Sequence, residues 1–183
     1  VPRLAGMDGE ARPLSAAALR ASRGVALRAE CGNDEAFVFT LFVEARAPGF
    51  ANIPLEPAQR DALLRQQFTL QTTQYRRSFP AASFSIVEWG AASIGRLYVD
   101  RSAPSMHVID VALLRAWQGR GIGSRLLGEL LEEARVAGRA VSLHVERESP
   151  AQSLYLRLGF RVLRDKGVYL EMEWRPAPGG RAA

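Results

Sequence analysis

Cysteine is nearly absent from this chain of 183 residues: Cys31 stands alone, which excludes an internal disulfide framework. A single thiol fits a reducing compartment, and after a first strand it reads as an ordinary buried or edge side chain. Histidine is almost as scarce. His107 and His144 are the only two, and with one cysteine they show no ligand spacing, so no metal site is expected. No apolar run approaches the roughly 20 residues that a membrane span needs, so no membrane partner is expected. The N-terminus lacks the basic region and apolar stretch of a secretory signal, making a cytoplasmic location the expectation. Lysine is also missing except at Lys166, so the net charge of +5 is carried almost entirely by arginine. Those arginines are dispersed, with no run beyond Arg76-Arg77 and no aromatic interleaving, which disfavours a nucleic-acid partner despite a pI near 10.1.

What is present is concentrated between Val108 and Arg135. Val108, Ile109, Val111, Ala112, Leu113 and Leu114 form a nearly continuous apolar run, suited to an inner strand. Leu126, Leu127, Leu130, Leu131 and Ala134 recur at helical spacing, leaving Glu129, Glu132, Glu133 and Arg135 for solvent. Between strand and helix lies Gln118-Gly119-Arg120-Gly121-Ile122-Gly123, followed by Ser124. Glycines let the backbone approach a ligand closely, and a helix beginning there adds unpaired N–H groups and its positive dipole end. Such a turn favours an anion such as a pyrophosphate, and Arg120 and Arg125 add full charge. The same glycines also suit a plain strand-to-helix connection. Neither a Gly-Lys-Ser/Thr ending nor the G-x-G-x-x-G spacing is there, which disfavours a phosphate-loop nucleotide enzyme.

The remaining chain divides into short elements. Val25 to Glu30 reads as a strand, Glu35 to Arg46 as a helix ended by Pro48-Gly49, and Pro57 to Arg76 as a second helix with proline in its first turn. Two strands around Gly90, the central strand from Met106 and the long helix follow, the last closed by Gly138. A strand over Ala140 to Val145, a short helix over Pro150 to Leu158 and a hairpin ending at Trp174 complete the order β-α-α-β-β-β-α-β-α-β-β. Residues 1–22 are expected to be a flexible leader, 23–175 one domain, and 176–183 a disordered tail.

Gln118, Gly121 and Gly123 resemble the Q/R-x-x-G-x-G/A coenzyme A loop of the GNAT family of N-acetyltransferases. About thirty residues on, Ser149-Pro150-Ala151-Gln152-Ser153-Leu154-Tyr155-Leu156-Arg157-Leu158-Gly159-Phe160 is similar to the family's N-P-A-x-x-L-Y-x-x-L-G-F segment, with serine in the asparagine place. The two segments, in this order and at this distance, carry the resemblance, which spans about Val25 to Trp174. The closing segment Lys166 to Trp174 resembles an uncharacterised bacterial subgroup. The resemblance implies an α/β fold with a mixed, mostly antiparallel sheet of about seven strands and about four flanking helices. It also implies direct transfer of an acetyl group from acetyl-CoA to an acceptor amine, either a small molecule or a protein N-terminus.

By position, the resemblance gives cofactor contacts to the main chain of Val111 and Leu113, to the turn Gln118, Gly119, Arg120, Gly121, Ile122, Gly123 and Ser124, and to Ser149. Ser149 departs from the family pattern and equally suits the N-cap of its short helix. Tyr155 falls at the general-acid tyrosine, where a phenol can protonate the departing thiolate. The base is less determined, with Asp110 and His144 ranked ahead of Glu146 and His107. Glu44, Phe50 and Gln71 fall where the family's first helices cover the acceptor. The resemblance leaves the acceptor open and allows a homodimer. The rival readings are an acyl-CoA-binding module without turnover and a basic nucleic-acid-binding protein.

Overall fold

A computed structural model describes residues 24–50 and 54–177, so the expected leader and residues 178–183 of the expected tail lie outside the described residues. Seven strands form one sheet: β1 (Val25–Ala29), β2 (Ser83–Trp89), β3 (Ala92–Asp100), β4 (Met106–Leu113), β5 (Val141–Glu146), β6 (Arg161–Asp165) and β7 (Tyr169–Trp174), in the order β1-β2-β3-β4-β5-β7-β6. All neighbours are antiparallel except β4 and β5. That parallel pair is joined through the one helix whose apolar spacing is plain in the sequence, because parallel strands need a crossover.

Four α-helices flank the sheet: α1 (Glu35–Phe50), α2 (Pro57–Ser78), α3 (Ile122–Val136) and α4 (Gln152–Arg157). The expected mixed α/β architecture is therefore the observed one. Ile122, Leu126, Leu127, Leu130, Leu131 and Ala134 bury the inner stripe of α3 against Leu97, Val99, Val108, Val141 and Leu143 of the sheet, with Tyr155 of α4 in the same core. On the opposite face Val38 and Phe42 of α1 and Leu64 and Phe68 of α2 close over Ile86. Each element thus has one apolar side and one layer to bury it in.

Several element ends shift by one to four residues from expectation, those of α1 and α4 among them. Helix α1 runs to Phe50, because a proline in the last turn removes one intrahelical bond without stopping the turns before it. Helix α4 starts at Gln152 rather than Pro150, after a turn in which the Ser149 hydroxyl accepts the Ala151 N–H (3.3 Å). Cys31, just past the edge strand β1, is exposed, the edge alternative of its expected placement.

The β3–β4 pairing carries the feature that shapes the site. Tyr98 faces Asp110 and Val99 faces Val108, so Ile109 is an extra residue on β4. Such a bulge bends its strand and reverses the alternation beyond it. The parallel ladder between β4 and β5 covers Met106, His107 and Val108 against Val141, Ser142 and Leu143, and stops there. β4 continues to Leu113 and β5 to Glu146 as two diverging limbs.

Further along, β3 and β4 come unusually close. A Cβ at Gly95 would stand 2.4 Å from the Ala112 carbonyl oxygen and 2.6 Å from Leu113 Cδ2, so no side chain fits. Gly95→Ala should therefore cost about 2 kcal/mol of stability. The measurement is a urea midpoint at unchanged m-value. A midpoint equal to the parent's would mean that the strands part there at no cost.

Candidate active site

The mouth of the opening between β4 and β5 is set by the glycine turn. After Leu113 a 3-10 turn (Arg115–Trp117) leads to Gly119 and Gly121, at φ +70° and +81°. These left-handed conformations are costly for any side chain with a Cβ. Gly121 is the N-cap of α3, and no side chain caps the helix there. The first N–H groups of α3 have no intrahelical acceptor and gather at the positive end of its dipole. Arg120 lies over the Trp117 ring (5.2 Å), and Arg125 pairs with Glu129 (2.9 Å). Gln118 uses its side-chain amide to donate to the Leu113 carbonyl (2.8 Å), fastening the turn to the end of β4. A Cβ at Gly123 would meet Leu154 at 3.5 Å, so the start of α3 packs beside α4.

Asp110 is the polar centre on the face of helices α1 and α2. Simple alternation would put it beside Val108 in the core under α3; the bulge at Ile109 turns it the other way, level with Tyr98. Its Oδ2 accepts from Arg96 Nη2 (2.5 Å) and from the Tyr75 hydroxyl (3.5 Å). Arg96 is 4% exposed, and Gln71 lies 3.4 Å from the same Nη2. Both contacts to Asp110 therefore converge on one oxygen, and the carboxylate keeps 17% of its side-chain surface exposed. Oδ1 is the oxygen available to a ligand.

Tyr155 is 7% exposed, packed edge-on against Phe160 (5.8 Å). Burial, and then the Asp110 carboxylate, push its phenol up to about 12. The structure thus brings Tyr155 and Asp110 within electrostatic reach of each other, from α4 and β4.

His144 belongs to a different cluster. Its ring meets His107 (5.4 Å), which stacks on Phe79 (5.5 Å) and bonds Ser142 Oγ (2.9 Å). Lys166 Nζ lies 3.1 Å from His144 Nε2 and pairs with Glu171 (2.9 Å). An ammonium can only donate, so the His144 Nε2 lone pair is engaged and the ring proton sits on Nδ1. His107 is lowered by burial and then by His144, and neither is tied to Tyr155.

Helix α1 reaches both limbs of the opening. Glu44 Oε2 accepts the Arg115 N–H beyond β4 (2.7 Å), and Arg46 Nη1 faces Glu146 Oε1 at the end of β5 (3.6 Å). Glu44 and Gln71, expected over the acceptor, thus have protein partners; the Phe50 side chain lies outside the described residues. A groove of about 400 Å³ lies between α1 and α2, lined by Phe39, Val43, Pro57 and Leu64, apart from Asp110, Tyr155 and the glycine turn. Sequence reasoning missed Tyr75 and Arg96. The available signal was a lone arginine in the otherwise apolar stretch Ile94 to Val99.

Residues 80–162 match the family model described as an acetyltransferase (GNAT) domain. That match covers 83 of the 183 residues, and the seven-stranded sheet with its four helices has the GNAT fold. Solved structures with the GNAT fold agree with it over nearly their whole lengths. PaiA N-acetyltransferase from Thermoplasma acidophilum, in complex with coenzyme A, is 18% identical, with a TM-score of 0.63 over 82% of this chain and 98% of its own. The histone acetyltransferase HPA2 and related acetyltransferase from Corynebacterium glutamicum is 23% identical, with a TM-score of 0.60 over 85% and 98%. The ribosomal-protein-S18-alanine N-acetyltransferase from Escherichia coli is 13% identical, with a TM-score of 0.58 over 87% and 98%. No curated protein matches. No described helix is long and apolar enough to cross a membrane, and the described residues hold no cluster fit for a metal ion.

Proposed function

We propose that this chain transfers an acetyl group from acetyl-CoA directly to an acceptor amine. The observation that carries the reading is the parting of β4 from β5 beyond Val108, with the uncapped start of α3 at its mouth. Acetyl-CoA would supply the acyl group as a thioester, with a pyrophosphate to anchor it. The donor set suits that anchor. N–H groups of Ile122, Gly123 and Ser124 at the start of α3, the left-handed Gly119 and Gly121, and the charges of Arg120 and Arg125 favour a diphosphate. The main chain of Val111 and Leu113, on the limb of β4 past the ladder, suits the extended pantetheine arm. Ser149 spends its hydroxyl on the Ala151 N–H, which weakens its case as a cofactor contact.

Asp110 Oδ1 would receive the acceptor's N–H, oriented by the grip of Arg96 and Tyr75 on Oδ2. Tyr155 would hold a proton for the leaving sulfur. His144 is the second candidate for the base, and Lys166 against its Nε2 places it behind Asp110. Cytoplasmic residence remains an expectation from the sequence, and the family resemblance allows a homodimer.

The test is calorimetric binding of acetyl-CoA to wild type and to Gly121→Trp. At φ +81° a tryptophan strains the turn and fills the approach to the start of α3. Micromolar binding in the wild type, lost at least a hundredfold in the variant, is expected. Wild-type protein that binds no acetyl-CoA would overturn the reading.

A further inference from the structure

We infer that the acceptor is an amine that also carries a carboxylate, an amino-acid-class substrate whose ammonium meets Asp110 and whose carboxylate meets Arg46. The inference rests on the acyl-transfer reading and adds the substrate class to it.

Three observations carry it. The first is the arrangement of charge at the opening. Asp110 takes both of its side-chain partners, Arg96 and Tyr75, on Oδ2, which leaves Oδ1 for a ligand. Arg46, on α1, reaches from the other side towards the end of β5. Both act on the Tyr75 hydroxyl: burial and Asp110 raise it, while Arg96 and Arg46 oppose the rise. Asp110 on β4 and Arg46 beside the end of β5 thus set opposite charges on the two limbs of the opening, an arrangement complementary to a zwitterion.

The second is how differently the two arginines are committed. Arg96 is buried, in a 2.5 Å ion pair and within reach of Gln71. Arg46 is 40% exposed and faces Glu146, itself 53% exposed, at 3.6 Å. An exposed ion pair at that separation contributes little, because solvent screens it. A guanidinium can exchange it for a ligand carboxylate, which it grips with two parallel N–H bonds. The Arg46 guanidinium also lies over the Phe42 ring, 5.7 Å from its centroid.

The third is the charge of the whole chain. At +5 it repels polycationic amines and attracts acceptors with an anionic group. Polyamines and lysine-rich peptides are the amines this surface disfavours.

The experiment compares acids with their own amides, which keep the size and the amine but lose the negative charge. Glycine against glycinamide and 4-aminobutyrate against 4-aminobutyramide are assayed by thiol release from acetyl-CoA, beside calorimetric binding of acetyl-CoA. The two chain lengths report the spacing from Asp110 to Arg46. In wild type, at least one acid should exceed its amide about tenfold or more in kcat/KM, as one charge-assisted contact implies. Arg46→Gln should erase that preference by raising KM for the acid, and Arg46→Lys should restore part of it. Equal or better turnover of the amides, or an acid preference that survives in Arg46→Gln, overturns this assignment and leaves acyl transfer standing. Absence of acetyl-CoA binding overturns acyl transfer itself, and this assignment with it.

Discussion

Arg96→Met will lower the stability of the fold by about 3 kcal/mol, measured by urea denaturation at neutral pH. The methionine replaces the length of the buried side chain but not its charge. Asp110 then keeps a carboxylate in a site that is mostly closed to solvent, with only the 3.5 Å contact from Tyr75 on Oδ2. Removing one partner of a buried pair costs about 3–5 kcal/mol, because the remaining charge is uncompensated. Residual solvent contact at Asp110 puts this case at the low end. A control separates charge from shape. Arg96→Met combined with Asp110→Asn should recover more than half of the loss, since no charge is then stranded. A deficit that persists equally in the double variant would mean that Arg96 acts through packing, and that the clamp on Asp110 is not electrostatic.

Much of the architecture could be read from the chain because its signals are local. Leu126, Leu127, Leu130, Leu131 and Ala134 repeat with the helical period, and all are buried in α3. The glycines at 119 and 121 take positive φ, the reason a sequence puts glycine at such a turn. The orientation of Asp110 was not legible. The run from Val108 to Leu114 is apolar on both faces apart from that residue, so alternation has nothing to register against. The bulge at Ile109 decides the face, and it is defined only by the pairing with β3. Tyr75 shares a helix face with Leu64 and Phe68, and its ring lies edge-on to Tyr98 (6.3 Å). Its hydroxyl acts on a residue 35 positions away, a contact no local pattern encodes. The same holds for α1. Glu44 has the right chemistry for an acceptor contact, but its carboxylate takes the main-chain N–H of Arg115, and Arg46 two positions on reaches the opposite limb.

Tyr155→Phe should reduce kcat for acetyl transfer about a hundredfold while leaving acetyl-CoA affinity and folding stability nearly unchanged. The ring stays, so the edge-on contact to Phe160 and the packing of α4 on the core are kept. Only the hydroxyl is lost. General acids contribute about 10²–10⁴-fold, most when their pKa lies near the working pH. With burial holding Tyr155 up to about 12, its proton is reluctant, which places the effect at the bottom of that range. The same elevation fixes the sign of the pH dependence. A raised phenol keeps its proton at all pH values below its own pKa, so wild-type kcat should show no falling limb from Tyr155 between about pH 7 and 10. Both enzymes, followed by thiol release across that range, should give profiles of the same shape, offset by a constant factor. A wild-type limb near pH 9 that vanishes in the phenylalanine variant would mean that the phenol is far more acidic than its burial implies. Equal kcat values would mean that the thiolate leaves without a proton from Tyr155, and the acid would then have to be water entering the opening beside Asp110.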